Sequence, residues 1–280
     1  MVPNYKLRLN TEFMRKNLWW IVGALLLFSI TIISWSPVKK ADHKEVYSAV
    51  TKALTTKEFF AQYVNDIYQT ANLQQTGMDA AVFQKAVTGY LNLKLANKLT
   101  ENSNVITVVD FTKSSRVKRM WIVDLATKTM LLNTWVAHGQ GSGDDMATNF
   151  SNTNESHQSS LGFYLTDDVY YGKHGRSLRL DGLDGSNSSA RARAIVVHAA
   201  DYVCQNTINQ LGRLGRSFGC PAVSPEVSDM VINTIKGRTM LYINGNSNNY
   251  SSKLLDDTAP ADFIAGTAAT DTASATVAKL

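Results

Sequence analysis

The chain has 280 residues, with 28 Lys and Arg against 23 Asp and Glu, and two cysteines. The positive excess sits at one end: residues 1–40 hold six basic side chains and Glu12, so residues 41–280 carry 22 charges of each sign. A neutral body excludes a basic nucleic-acid-binding surface, and no nucleic-acid partner is expected.

In chain order, Leu18 to Trp35 is an uncharged, mostly apolar run of 18 residues. As a helix it would reach about 27 Å, close to the hydrocarbon thickness of a bilayer. Lys6, Arg8, Arg15 and Lys16 precede it, which orients the N-terminus toward the cytoplasm. No Ala-x-Ala site follows, and Pro37 disfavours cleavage. Residues 1–40 therefore read as a basic stub with a signal anchor in the inner membrane, a removed signal peptide being the alternative. Both place the body outside the cytoplasm.

Residues 41–103 read as a helical region. Thr55-x-x-Glu58 is a capping box that opens a helix through about Thr70, with Phe59, Phe60, Tyr63, Ile67 and Tyr68 near helical spacing. Asp79 caps a second helix carrying Phe83, Val87, Tyr90, Leu91 and Leu95. From Val105 the period changes from helical to alternating. Val105–Phe111, Met120–Leu125, Met130–Ala137, Leu161–Thr166, Ala194–His198 and Met240–Ile243 read as strands separated by Gly, Ser and Asn. Residues 104–243 are thus expected to be a mainly β domain, sandwich- or barrel-like, against the helical layer. Ser224 and Pro225 mark the start of a helix after the last turn. Residues 244–280, rich in Asn, Ser, Ala, Thr and Asp, lack apolar periodicity and read as a disordered tail.

Chemistry concentrates late in the domain. The apolar run Ala194-Ile195-Val196-Val197 delivers His198 to a strand edge, and the turn Ser217-Phe218-Gly219-Cys220-Pro221 presents a thiol. A thiol and an imidazole placed together suffice for nucleophilic attack on a carbonyl. Gly219 lets the backbone bend so that the Gly219 and Cys220 amides face a developing oxyanion. Cys204 sits in what reads as a packed segment, and a Cys204–Cys220 disulfide is the competing reading, which would leave a non-catalytic wall-binding protein. The loop Gly139 to Gly143 lacks the Lys-Ser/Thr of a phosphate loop, and Asp144 and Asp145 read as solvated acids. His138, His157, His174 and His198 are scattered without zinc-binding spacing, so no metal site or cofactor is expected.

His198 followed by Ser217-Phe218-Gly219-Cys220 resembles the signature of the YkuD-type L,D-transpeptidases, in their murein L,D-transpeptidase catalytic domain branch. Val108 to Phe111, Trp121 to Leu125, Val136 to Gly139, Ser159 to Tyr164, Tyr171 to Gly175 and Gly212 to Arg216 extend the resemblance over roughly residues 104–243. It implies that Cys220 attacks a carbonyl of a peptidoglycan stem peptide and that His198 is the base. It further implies that the Ala199 carbonyl orients the imidazole and that Ser217 holds the turn. The acyl-enzyme passes to an amine, or to water in an L,D-carboxypeptidase. Three positions depart from better-known members: Phe218 replaces His, Ala199 replaces Gly, and Ala222 stands where an Arg or Asn helps bind substrate. Arg213 and Arg216, nearest the thiol in sequence, are expected to bind the stem carboxylate instead. His174 and Phe218 are further candidates to line the cleft.

Overall fold

The computed structural model describes residues 54–277, Asn102 excepted. The proposed membrane helix Leu18–Trp35 lies outside the described residues, and among those described no helix is long and apolar enough to cross a membrane.

Helix α1 (Thr56–Thr70) starts where the capping box places it. The Thr55 hydroxyl accepts from the Glu58 amide at 3.2 Å, and the Glu58 carboxylate accepts from the Thr55 amide at 2.7 Å. Both bonds satisfy amides that a helix start leaves without partners. Helix α2 (Ala80–Leu95) is capped by Asp79, which accepts from Ala81 and Val82. Phe60, Val64, Ile67 and Tyr68 of α1 and Phe83, Val87, Tyr90 and Leu91 of α2 are buried. Removing such a side chain from water contributes about 1.5–3 kcal/mol each.

One mixed sheet of eight strands carries the rest, in the order β3-β2-β1-β8-β4-β5-β6-β7. Its strands are β1 (Val105–Asp110), β2 (Met120–Asp124), β3 (Thr129–Thr134), β4 (Gly162–Gly172), β5 (Gly175–Gly182), β6 (Val196–Ala199), β7 (Ala222–Val223) and β8 (Met240–Asn244). The β1–β8 and β6–β7 pairs are parallel and the others antiparallel. Alternation along the strands gives each face its own core. Ile106, Val108, Trp121, Phe163 and Tyr242 pack with α1 and α2. Val109, Ile122, Tyr164, Leu178, Leu241 and Ile243 pack on the other face with Ile195, Val197, Val223 and the helix that follows β7.

The helical layer lies very close to the sheet. A Cβ placed on Gly89 would stand 2.0 Å from the Phe163 ring, which itself stacks on Tyr242 at 4.4 Å. Gly89→Ala gains about 1 kcal/mol of helix propensity. It also forces a methyl into this contact, at a typical overpacking cost of 1–3 kcal/mol. The expected net result is a loss of up to about 2 kcal/mol, read as a lower urea midpoint with unchanged m-value.

Three features were not foreseen in the sequence. The first concerns the region after Thr166: β4 continues to Gly172 and turns back as β5, although the expected strand stopped at Thr166. Asp167, Asp168 and the tyrosines hide the apolar pattern there, and Leu178 and Leu180 are the buried apolar residues of β5. Second, Gln205–Leu211 forms a short helix, α3, before α4 (Pro225–Ile235). Third, the segment after Asn244 is no disordered tail. Ser252 caps a turn of 3-10 helix, and α5 (Thr258–Val277) follows. Asn92 donates to the carbonyls of Leu254 and Asp256, Lys57 pairs with Asp257 at 3.1 Å, and Ala261 and Ile264 join the core around α1. Tertiary packing stabilises this helix where composition signals disorder.

Candidate active site

Strand β6 places His198 between Ser177 of β5 and Ala222 of β7, almost fully buried. Its Nδ1 lies 2.8 Å from the Ala199 carbonyl oxygen. Only a protonated Nδ1 can bond to a carbonyl, so Nε2 carries the lone pair, the tautomer a base requires. Burial, with the neighbouring His174, holds the imidazole below its ordinary pKa of 6.5.

The Cys220 turn is held from four directions. The Ser217 amide donates to the His138 carbonyl, and the Gln140 amide donates to the Ser217 carbonyl at 2.8 Å. The Ser217 hydroxyl donates to the Cys220 carbonyl at 2.7 Å, and the Ser159 hydroxyl donates to the Gly219 carbonyl at 3.3 Å. Gly219 has φ +122, and a Cβ there would stand 2.7 Å from the Gln158 carbonyl. Gly219→Ala therefore strains the backbone and collides with another main chain. The expected outcome is a stability loss of about 1–3 kcal/mol, with a further drop in turnover at temperatures where the variant remains folded, measured by thermal melts and stem-peptide assays.

The Cys220 sulfur sits 3.7 Å from the Ala194 carbonyl and accepts from the Val196 amide. Burial pushes its thiol above the ordinary value of 9.0, against the opposing effect of the Val196 amide and the Arg193 guanidinium. The resting pair is accordingly a neutral thiol and a neutral imidazole. Cys204 stands at the N-cap of α3 rather than in a packed core, where Thr207 holds its thiol below the usual value. Both cysteines are free, so the bridged alternative is not formed.

Two assigned roles change with the geometry. The Gly219 amide donates to the Ser217 hydroxyl at 3.0 Å, so it is engaged within the turn. Of the two amides expected to face an oxyanion, only that of Cys220 is without a hydrogen bond among the described residues. Arg213 and Arg216 are engaged within the protein. Both grip Asp144, at 3.5 and 2.9 Å, and Arg216 also donates to the Gly143 carbonyl at 2.8 Å. They tie the 139–145 loop to the thiol-bearing turn. Asp145 is likewise structural: burial opposes its charge, but bonds from Ser114 and Ser115 hold its carboxyl below the usual range. Ala222 is buried with Ala137, Val203 and Leu214, so that position points into the core.

Further residues surround the thiol and the imidazole. Arg193 donates to the carbonyls of Ser151 and Gln158 and to the Ser160 hydroxyl, fixing a positive charge near the thiol. Tyr202, half-buried, feels the Cys220 thiol, and burial raises its phenol to about 12. The four histidines among the described residues, far apart in sequence, converge on this end of the sheet. His138 is buried, accepts at Nδ1 from Arg119 at 2.7 Å, and is pushed down to about 4 by burial and by that guanidinium. His157 stacks on the exposed Phe218 at 4.4 Å, and His174 stacks on His198 at 4.3 Å. Among the described residues no group of His, Cys, Asp and Glu is arranged to hold a metal ion. A cavity of about 400 Å³ beside His198 is lined by His174, Ala199, Ala200, Asp201, Tyr202 and Pro225. A larger cavity, about 920 Å³, is formed by other segments, Leu93, Lys98, Leu165, Arg238 and Lys253 among them.

This geometry provides a thiol on a strained turn and an imidazole of fixed tautomer on the adjoining strand. The family model for the L,D-transpeptidase catalytic domain matches residues 74–244, more than half of the chain. The chain belongs to the L,D-transpeptidase catalytic domain family. The matched span includes the Cys220 turn, His198 and the α2 layer. Similar solved structures include an L,D-transpeptidase from Mycobacterium smegmatis, at 10% identity and a TM-score of 0.32, covering 51% of this chain and 59% of that one. L,D-transpeptidase 1 from Mycobacterium tuberculosis is 11% identical with a TM-score of 0.29, covering 50% and 62%. The helical cell shape determining protein Pgp2 from Campylobacter jejuni is 11% identical with a TM-score of 0.37, covering 65% and 61%. The chain thus spans less than two thirds of each of these structures. No curated protein sequence matches it.

Proposed function

We propose that the protein is a cysteine-dependent L,D-transpeptidase acting on peptidoglycan stem peptides through an acyl-enzyme. The supporting observation is the His198 Nδ1 contact with the Ala199 carbonyl, which leaves Nε2 as the only acceptor on the ring. As Cys220 attacks the stem carbonyl, its S–H proton passes to His198 Nε2 and a C–S bond forms. The Cys220 amide faces the oxyanion. The terminal D-residue then leaves as an amine, taking the proton back from His198. An acceptor amine attacks the thioester, gives up a proton to His198 and releases the thiol. The reaction needs no redox or electrophilic cofactor, because thiol, base and oxyanion donor account for every proton and bond.

Purified tetrapeptide stems incubated with the enzyme and followed by mass analysis test this reading. Cross-linked dimers with released D-residue are the expected products. Released D-residue without dimers would make the enzyme an L,D-carboxypeptidase, and no release at all would overturn both. The proposal includes export, with Leu18–Trp35 as an anchor in the inner membrane. N-terminal sequencing of the mature protein checks it: a start at or beyond Pro37 shows a removed signal peptide instead.

A further inference from the structure

His174 occupies the turn between β4 and β5, exposed to solvent, yet its ring lies on that of the buried His198 with centroids 4.3 Å apart and planes 24° from parallel. The turn is braced from the next position but one. Arg176 donates to the Asp229 carboxylate and the Asn233 side chain of α4, each at 2.7 Å. The Ser177 backbone then pairs with His198 across the β5–β6 ladder. The outer imidazole is therefore carried on a hairpin anchored on two sides.

We propose that His174 is a positioning residue for the reaction: its imidazole covers the outer face of His198, holding the ring in plane with Nε2 turned toward the thiol and keeping water from that face. The inference rests on the reading that His198 is the base. Two of the ring's freedoms are then removed by different contacts. The Ala199 carbonyl fixes its rotation through Nδ1, and His174 fixes its tilt. The same contact has an electrostatic side, because a charge on His174 opposes a charge on His198. The other titratable and charged groups around them are Lys173 on the same turn, Asp201 and Tyr202 across the shared cavity, Arg176 with Asp229 at α4, and the Cys220 thiol with Arg193 beyond.

The test is the pH dependence of Cys220 alkylation by iodoacetamide, in a Cys204→Ser background so that one thiol reports. Wild type, His174→Phe, His174→Ala and His198→Gln are compared, with thermal melts to confirm folding. His174→Phe keeps an aromatic face and loses the titrating group, so its plateau rate stays within about twofold. His174→Ala loses both and falls roughly three- to tenfold. In both variants the acid limb moves to higher pH, by a few tenths to about one unit, further in His174→Ala because the ring is also opened to water. An acid limb at the wild-type pH in both His174 variants, whatever their rates, overturns the proposal. A wild-type profile identical to that of His198→Gln shows instead that His198 is not the base. The readout needs no stem peptide, so it is independent of which substrate the enzyme turns over.

Discussion

Cys220→Ser is expected to abolish turnover of stem peptides, a loss on the order of 10⁵-fold or more, while the protein melts at its wild-type temperature. The polar contacts of the sulfur are a 3.7 Å contact with the Ala194 carbonyl and a bond from the Val196 amide, both of which a hydroxyl of similar size reproduces. A serine hydroxyl is far less acidic than a thiol, and the orienting partner of His198 is a neutral carbonyl that cannot offset a developing imidazolium as a carboxylate would. Cys204→Ser, by contrast, removes a thiol held by the Thr207 hydroxyl at 3.3 Å and by nearby α3 amides, and turnover should stay within about twofold of wild type. Matching losses in the two variants would contradict the assignment of Cys220.

His198→Gln carries the second large effect, a fall of about 10²- to 10⁴-fold in kcat/KM at neutral pH. The sign of its pH dependence follows from two opposite shifts. Burial lowers His198 from 6.5, so the base is already neutral at pH 6.5 and the wild-type acid limb lies below that value. Burial raises Cys220 above 9.0, so at neutral pH the thiol holds its proton until attack. Wild type should therefore be level through neutral pH, whereas His198→Gln should climb with pH toward the thiol's own ionisation, recovering part of the loss above pH 9. Ultraviolet thiolate absorbance at pH 7 should not differ between Cys204→Ser and the Cys204→Ser, Cys220→Ser double variant. A variant as level as wild type, or a clear Cys220 thiolate signal at pH 7, contradicts the neutral resting pair.

The parts of this arrangement that were legible in sequence are those set by local chemistry. The Thr55–Glu58 box and the Asp79 cap act within one helical turn, and the apolar run before His198 ends at the strand edge where the site lies. Gly219 could be read as a bend because an L side chain rarely adopts its φ. The illegible parts are set by partners distant in the chain. Whether the Gly219 amide is free depends on where the Ser217 hydroxyl turns, and it turns inward. Arg213 and Arg216 read as substrate ligands only while Asp144, some 70 positions earlier, has no known place. The last helix was unreadable because its small residues pack well against α1, and nothing in their order announces that surface.

The strand order has a consequence for how the molecule is made. In the sheet, β3, β2 and β1 lie on one side of β8 and β4 to β7 on the other, so β8 alone joins the two halves. Its residues, Met240–Asn244, come after every other strand in the chain. Until they emerge, β1 lacks its parallel neighbour, more than 130 positions downstream, and β4 presents an open edge. Such distant pairing is entropically costly and slow, and it leaves strand edges open to wrong partners. Assembly of the His198 and Cys220 end thus waits on a strand made after it. An unfinished chain therefore carries its sulfur nucleophile before the frame that aims it, and reactivity arrives only with completion of the sheet.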